Sequence, residues 1–98
     1  MQCQFKTVTG FGRYDVESFS VDVTSQQSAA AEVKQYLKDN GLKCLGFFIT
    51  ALFEIDPWSK KAKVLYSVED ADIDNAMRDV QEMYRRQKNQ LIRKRKKV

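Results

Sequence analysis

The sequence predicts an α+β fold: a two-layer sandwich of ββαββα order, with a largely antiparallel four-stranded sheet and two helices on one face. Three observations predict it. Two pairs of strand-like stretches, mostly of alternating apolar and polar residues, are each joined by a short turn. Each pair is followed by apolar residues at helical spacing. The chain has 98 residues, 43% of them hydrophobic, which suffices for one core and leaves no room for a second.

The elements follow in order. QCQFKTVT (residues 2–9) puts Cys3 and Phe5 on one side and Gln4 and Lys6 on the other. Gly10 and Gly12 bracket Phe11 and mark a turn. In the second strand, residues 14–23, Phe19 and Val21 point one way while Tyr14 and Val16 have the opposite phase. A β-bulge near Glu17–Ser18 is therefore expected. Thr24 or Ser25 caps a helix over residues 26–40, with Ala29, Ala30, Val33, Tyr36 and Leu37 on one face and Asn40-Gly41 as its stop. LKCLGFFITALFEID (residues 42–56) reads as a strand apolar on both sides. Leu45, Phe47, Ile49, Ala51, Phe53 and Ile55 form its richer face; Phe48 and Leu52 project from the other. Such a strand is central in its sheet or covered by another chain. DPWSKK (residues 56–61) is a turn, and AKVLYSV (residues 62–68) completes the second hairpin.

EDADID (residues 69–74) opens the last helix, with Asp70 or Asp72 as cap and acidic groups at the positive end of the helix dipole. Its apolar stripe is Ile73, Ala76, Met77, Val80, Tyr84, Gln87 and Leu91. Lys94 and Arg95 then fall in the sector that Ile73 and Val80 occupied, and cationic heads do not enter a core without partners. Packing is expected to stop near Leu91. This divides the chain into a domain over residues 1–91 and a basic extension over residues 92–98.

The charge is uneven. Residues 1–84 carry nine Lys/Arg and thirteen Asp/Glu, whereas eight of the fourteen residues 85–98 are Lys or Arg and none is acidic. The net +4 thus hides a basic segment with its own role. A solvated helix end would need only two or three cations to satisfy the dipole. A membrane-surface anchor would need more apolar residues than Leu91, Ile92 and Val98. A sorting address in RKRKK remains as a minor reading. Phosphate contact explains the run best, because clustered Lys and Arg release counterions on binding DNA or RNA.

There is no histidine. That removes the commonest general base, the His-activated nucleophiles and most metal sites. Glu69, Asp70, Asp72 and Asp74 lack the spacing of a calcium loop and read as capping groups. Gly10-Phe11-Gly12 is too short for a dinucleotide fingerprint. It also lacks the flanking residues and strand position of the RNA-recognition-motif signature, so that match is rejected. The final strand and helix faintly resemble the end of small ribosome-hibernation factors. Their βαβββα order differs from the one read here, and no family is assigned on it. No catalytic role, metal or cofactor is expected. Cys3 and Cys44 are expected as reduced thiols. No signal segment is apparent, and the longest apolar run is too short to span a bilayer, so a cytoplasmic setting is expected, or a nuclear one in a eukaryote.

Two functional readings follow. In the first, the protein is a small non-enzymatic nucleic-acid-binding or nucleoprotein-associated protein. Arg85, Arg86 and Lys88 supply ordered phosphate contacts on the helix shoulder; Arg93, Lys94, Arg95, Lys96 and Lys97 supply diffuse ones. Lys60 and Lys61, beside Trp58, extend the surface. In the second, the protein is an interaction adaptor or inhibitor using Phe11, Arg13, Phe48, Leu52 or Trp58, with the basic end steering toward an acidic protein surface. A homodimer is one way of covering Phe48 and Leu52.

Overall fold

The structure, a computed structural model, describes residues 1–96, with side chains described through residue 90. The element order is β1 (Gln2–Val8), β2 (Val16–Asp22), α1 (Ala29–Asp39), β3 (Gly46–Ile55), β4 (Ala62–Ser67) and α2 (Asp70–Lys96). The four strands form one antiparallel sheet in the order β2-β1-β3-β4, so the fold is α+β. Both β2 and β3 run antiparallel to β1 and hence parallel to each other. Parallel strands need a crossover connection, and α1 is that crossover.

The face that α1 covers is read directly from the ladders. Phe5 pairs with Phe19 on one side and Ile49 on the other; Cys3 pairs with Val21 and Leu52. These side chains meet Ala29, Val33 and Leu37 of α1 and Val23 in one core. Phe5, fully buried, stacks on Phe19 at 5.4 Å and meets Tyr36 and Phe47 edge-on at 6.2 and 6.3 Å. Each such aromatic pair adds about 0.5–1.5 kcal/mol beyond the area it buries.

The bulge is not where the pattern of β2 puts it. The β1–β2 register is continuous through Glu17 and Ser18, and Val16 pairs with Val8. Val16 has the opposite phase because Val8, fully buried, belongs to the other face of the sheet. The irregularity lies in β3, where Phe5 pairs with Ile49 but Gln4 with Ala51, leaving Thr50 as the extra residue. Its hydroxyl donates to the Gln4 carbonyl at 3.1 Å, and its own carbonyl accepts the Val68 N–H at 3.0 Å. The bulge therefore leaves these groups satisfied. It also reverses the strand's phase, so Leu52 joins Phe47 and Ile49 in the core.

α1 begins at Ala29, three residues later than expected, with Ser28 as the cap residue. The Glu32 carboxylate reaches back to the Thr24 N–H at 2.9 Å, the Thr24 hydroxyl at 3.0 Å and the Ser28 hydroxyl at 2.7 Å. It closes the helix entrance together with Ser25, whose hydroxyl oxygen accepts the Ser28 N–H at 3.2 Å as expected of a cap there. The helix stops at Gly41, whose φ of 62° is the left-handed conformation that glycine adopts freely.

α2 meets β3 along its first half, beyond the residues that β4 pairs. A Cβ on Gly46 would lie 2.6 Å from Val80 Cγ1, so only glycine permits this approach. Gly46 pairs with Val8, on the strand phase opposite to Phe47. At this end of the sheet, the expected covering of one face by both helices is not the arrangement found. Met77 is buried, and Ile73, Ala76, Val80, Gln81 and Tyr84 are half-buried. Residues 85–90, Gln87 included, are all exposed. Among the residues whose side chains are described, packing on the sheet ends at Tyr84. Leu91 and the basic residues 93–97 lie outside the residues whose side chains are described. Both cysteines are free, and burial pushes each thiol above its ordinary pKa. Among the described residues, no helix is long and apolar enough to cross a membrane.

Candidate nucleic-acid interface

The basic segment starts where α2 leaves the body, and the β1–β2 loop is docked against it there. Gln81 donates its side-chain amide to the Gly10 carbonyl at 2.9 Å and the Gly12 carbonyl at 3.4 Å. Inside the loop, the Gly12 N–H donates to Asp15 Oδ2 at 2.7 Å and the Thr9 N–H to the Asp15 carbonyl at 2.9 Å. Phe11 rests on Tyr84 with ring centroids 5.9 Å apart. The Arg85 guanidinium lies over the Phe11 ring at 4.7 Å, and that of Arg13 lies 5.7 Å from the Tyr14 ring. Phe11 is 46% exposed and Tyr14 83%. This end of the molecule thus presents two exposed rings, each with a guanidinium close to it.

The expected phosphate-binding residues divide into separate places. Arg85 and Lys88 are both exposed on α2, Arg85 directly against this loop. Arg86 pairs with Glu82 at 2.8 Å, an exposed i,i+4 ion pair of about 0.3–0.5 kcal/mol that a phosphate can displace. Lys60, Lys61 and Trp58 are elsewhere. The β1–β2 loop follows Val8, which pairs with Gly46 at the start of β3, whereas the DPWSKK turn follows Ile55 at its end. The ten residues of β3 separate the two ends by about 30 Å. Lys60 and Lys61 therefore do not extend the α2 surface, contrary to expectation.

The candidates for protein contact also separate. Leu52 is 3% exposed and belongs to the core, for the reason given by the Thr50 bulge. Phe48 is half-buried. With Leu52 it lines an open apolar groove of about 500 Å³, whose walls also include Phe47, Ile49, Tyr66, Val68, Ala30 of α1 and Ala76 of α2. Trp58 is 93% exposed, held outward by a tight turn in which Asp56 Oδ1 accepts the Trp58 N–H at 2.9 Å. That bond and the Ser59 hydroxyl hold the Asp56 carboxyl below its ordinary pKa. Phe11 and Arg13 belong to the docked loop.

Sequence patterning missed Gln81 as the residue that fixes the loop. Its signal was present: it lies four residues after Met77 and one after Val80, on the border of the apolar stripe. Glu69, Asp70, Asp72 and Asp74 are all exposed at the start of α2. Among the described residues, no three His, Cys, Asp or Glu side chains form a group able to hold a metal. No protein-family model matches this chain, and comparison with curated proteins and with solved structures gives no match.

Proposed function

We propose that this is a small non-enzymatic nucleic-acid-binding or nucleoprotein-associated protein, whose long basic C-terminal helix and tail contact phosphates. One observation carries the reading. Residues 85–90 of the helix are all exposed, and the first of its cations, Arg85, is held over the Phe11 ring. Cations that face solvent along a projecting helix gain little for the fold and gain counterion release on a polyanion. The eight Lys and Arg of residues 85–98, with no acidic residue among them, make that term large. Residues 92–98 act as an arm that adds sequence-independent contacts. The reading predicts binding that weakens steeply with salt. It is tested by fluorescence anisotropy with labelled oligonucleotides across a salt series: undiminished affinity after removal of residues 93–97 contradicts it.

A second reading, that of an interaction adaptor, is favoured by the other end of the molecule. Trp58, Ile55 and Val64 are exposed there at 93%, 54% and 58%. Exposed aromatic anchors of this kind are typical of protein contact sites. In that case a protein complex survives nuclease and moderate salt, and Trp58→Ala weakens it more than loss of the tail does.

A further inference from the structure

Resting on the nucleic-acid reading, we infer that the β1–β2 loop selects single-stranded over double-stranded nucleic acid, by stacking unpaired bases on its Arg13–Tyr14 and Arg85–Phe11 layers. In a duplex the base faces are stacked on one another and only their edges are open to a protein. An exposed ring gains from a base only where the strand is unpaired. Tyr14 is the most accessible ring of this end, with a cation at 5.7 Å from its centroid. Phe11 and Arg85 form the second layer, and a guanidinium plane is itself a stacking surface for a base.

Two further features point the same way. The loop backbone is held in place by Gln81 and by the Asp15 contacts, which lowers the ordering cost of presenting its rings at binding. Beside them lies a depression of about 400 Å³ whose lining includes Phe11, Arg13, Asp74, Arg78 and Gln81. Asp74 disfavours a bare phosphate there and offers acceptors to the N–H groups of a base edge. Arg13 and Arg78 remain available to the flanking phosphates.

The test uses the full chain and labelled mixed-sequence RNA of about 12 nucleotides, single-stranded or annealed to its complement, at about 50 and 200 mM salt. The single strand is expected to bind at least about tenfold more tightly than the duplex at equal salt. Tyr14→Ala is expected to weaken single-strand binding about fivefold or more, with duplex binding unchanged and Tyr14→Phe restoring it. Tyr14 is 83% exposed, so its removal leaves the fold intact. Equal affinity for the two forms, or no effect of Tyr14→Ala, overturns the selectivity and leaves phosphate binding standing. Absence of binding to both forms overturns the proposal together with the reading it rests on.

Discussion

At the scale of single residues, Leu52 and Glu32 show how local geometry decides roles that pattern alone does not. Leu52 has the sequence phase of Phe48, on the less apolar side of its strand, yet the Thr50 bulge turns it into the core at 3% exposure. Leu52→Ala is therefore expected to cost about 2–5 kcal/mol in chemical denaturation, the price of a core cavity, and not to act as a surface change. Glu32 has its pKa lowered by the Ser28 hydroxyl first and the Thr24 N–H second. A carboxyl depressed in the folded state contributes stability above its unfolded pKa, and that contribution is lost as pH falls through the folded value. Glu32→Gln is expected to lower the midpoint of thermal unfolding at pH 7. The gap from the parent protein should close as pH falls below about 4.5, which melting curves of the two proteins across pH would measure. Lys60 is the one non-glycine residue with positive φ among those described, at 55°. Lys60→Gly relieves about 1 kcal/mol of backbone strain and is expected to raise the melting temperature.

At the scale of elements, the strands and helices were legible because their apolar periods are strong. The end of the first helix was legible because Asn40-Gly41 is a specific stop. The bulge was not. Moving it from β2 to β3 depends on which side of the sheet Val8 occupies, and that is fixed by α2, which lies about seventy residues further along the chain. The extent of packing along α2 is hidden from the sequence for a related reason: Gln87 has the phase of the stripe yet is exposed. A stripe shows which face of a helix is apolar, but the sheet decides how much of that face has a partner. The Gly46–Val80 approach belongs to this scale. Gly46→Ala places a methyl group against a branched side chain with few rotamers, and overpacking of this kind costs about 1–3 kcal/mol. Adding Val80→Ala should recover part of the loss, and a double-mutant cycle would show the coupling. If the two changes add independently, α2 does not lie against β3 at this point.

At the scale of the whole molecule, the long axis of 62 Å against 28 and 20 Å reflects α2 running on past the sheet. The candidate residues sit at the two ends of β3. Phe11, Arg13, Arg85, Arg86 and Lys88 belong to the end where α2 departs; Trp58, Lys60 and Lys61 belong to the other. The sequence could show that both groups are basic and aromatic. It could not show that a ten-residue strand holds them apart. The central claim is that phosphate contact belongs to the α2 end alone. The salt dependence of affinity tests it most directly, because its slope counts the phosphates contacted, at about 0.7 per contact for a single strand. Anisotropy titrations across a salt series would compare the intact protein, a variant lacking residues 93–97 and Lys60→Ala/Lys61→Ala. The account predicts a slope shallower by about 3 for the truncation and an unchanged slope for the lysine pair. An unchanged slope after truncation, or an equal loss in the lysine variant, would contradict it.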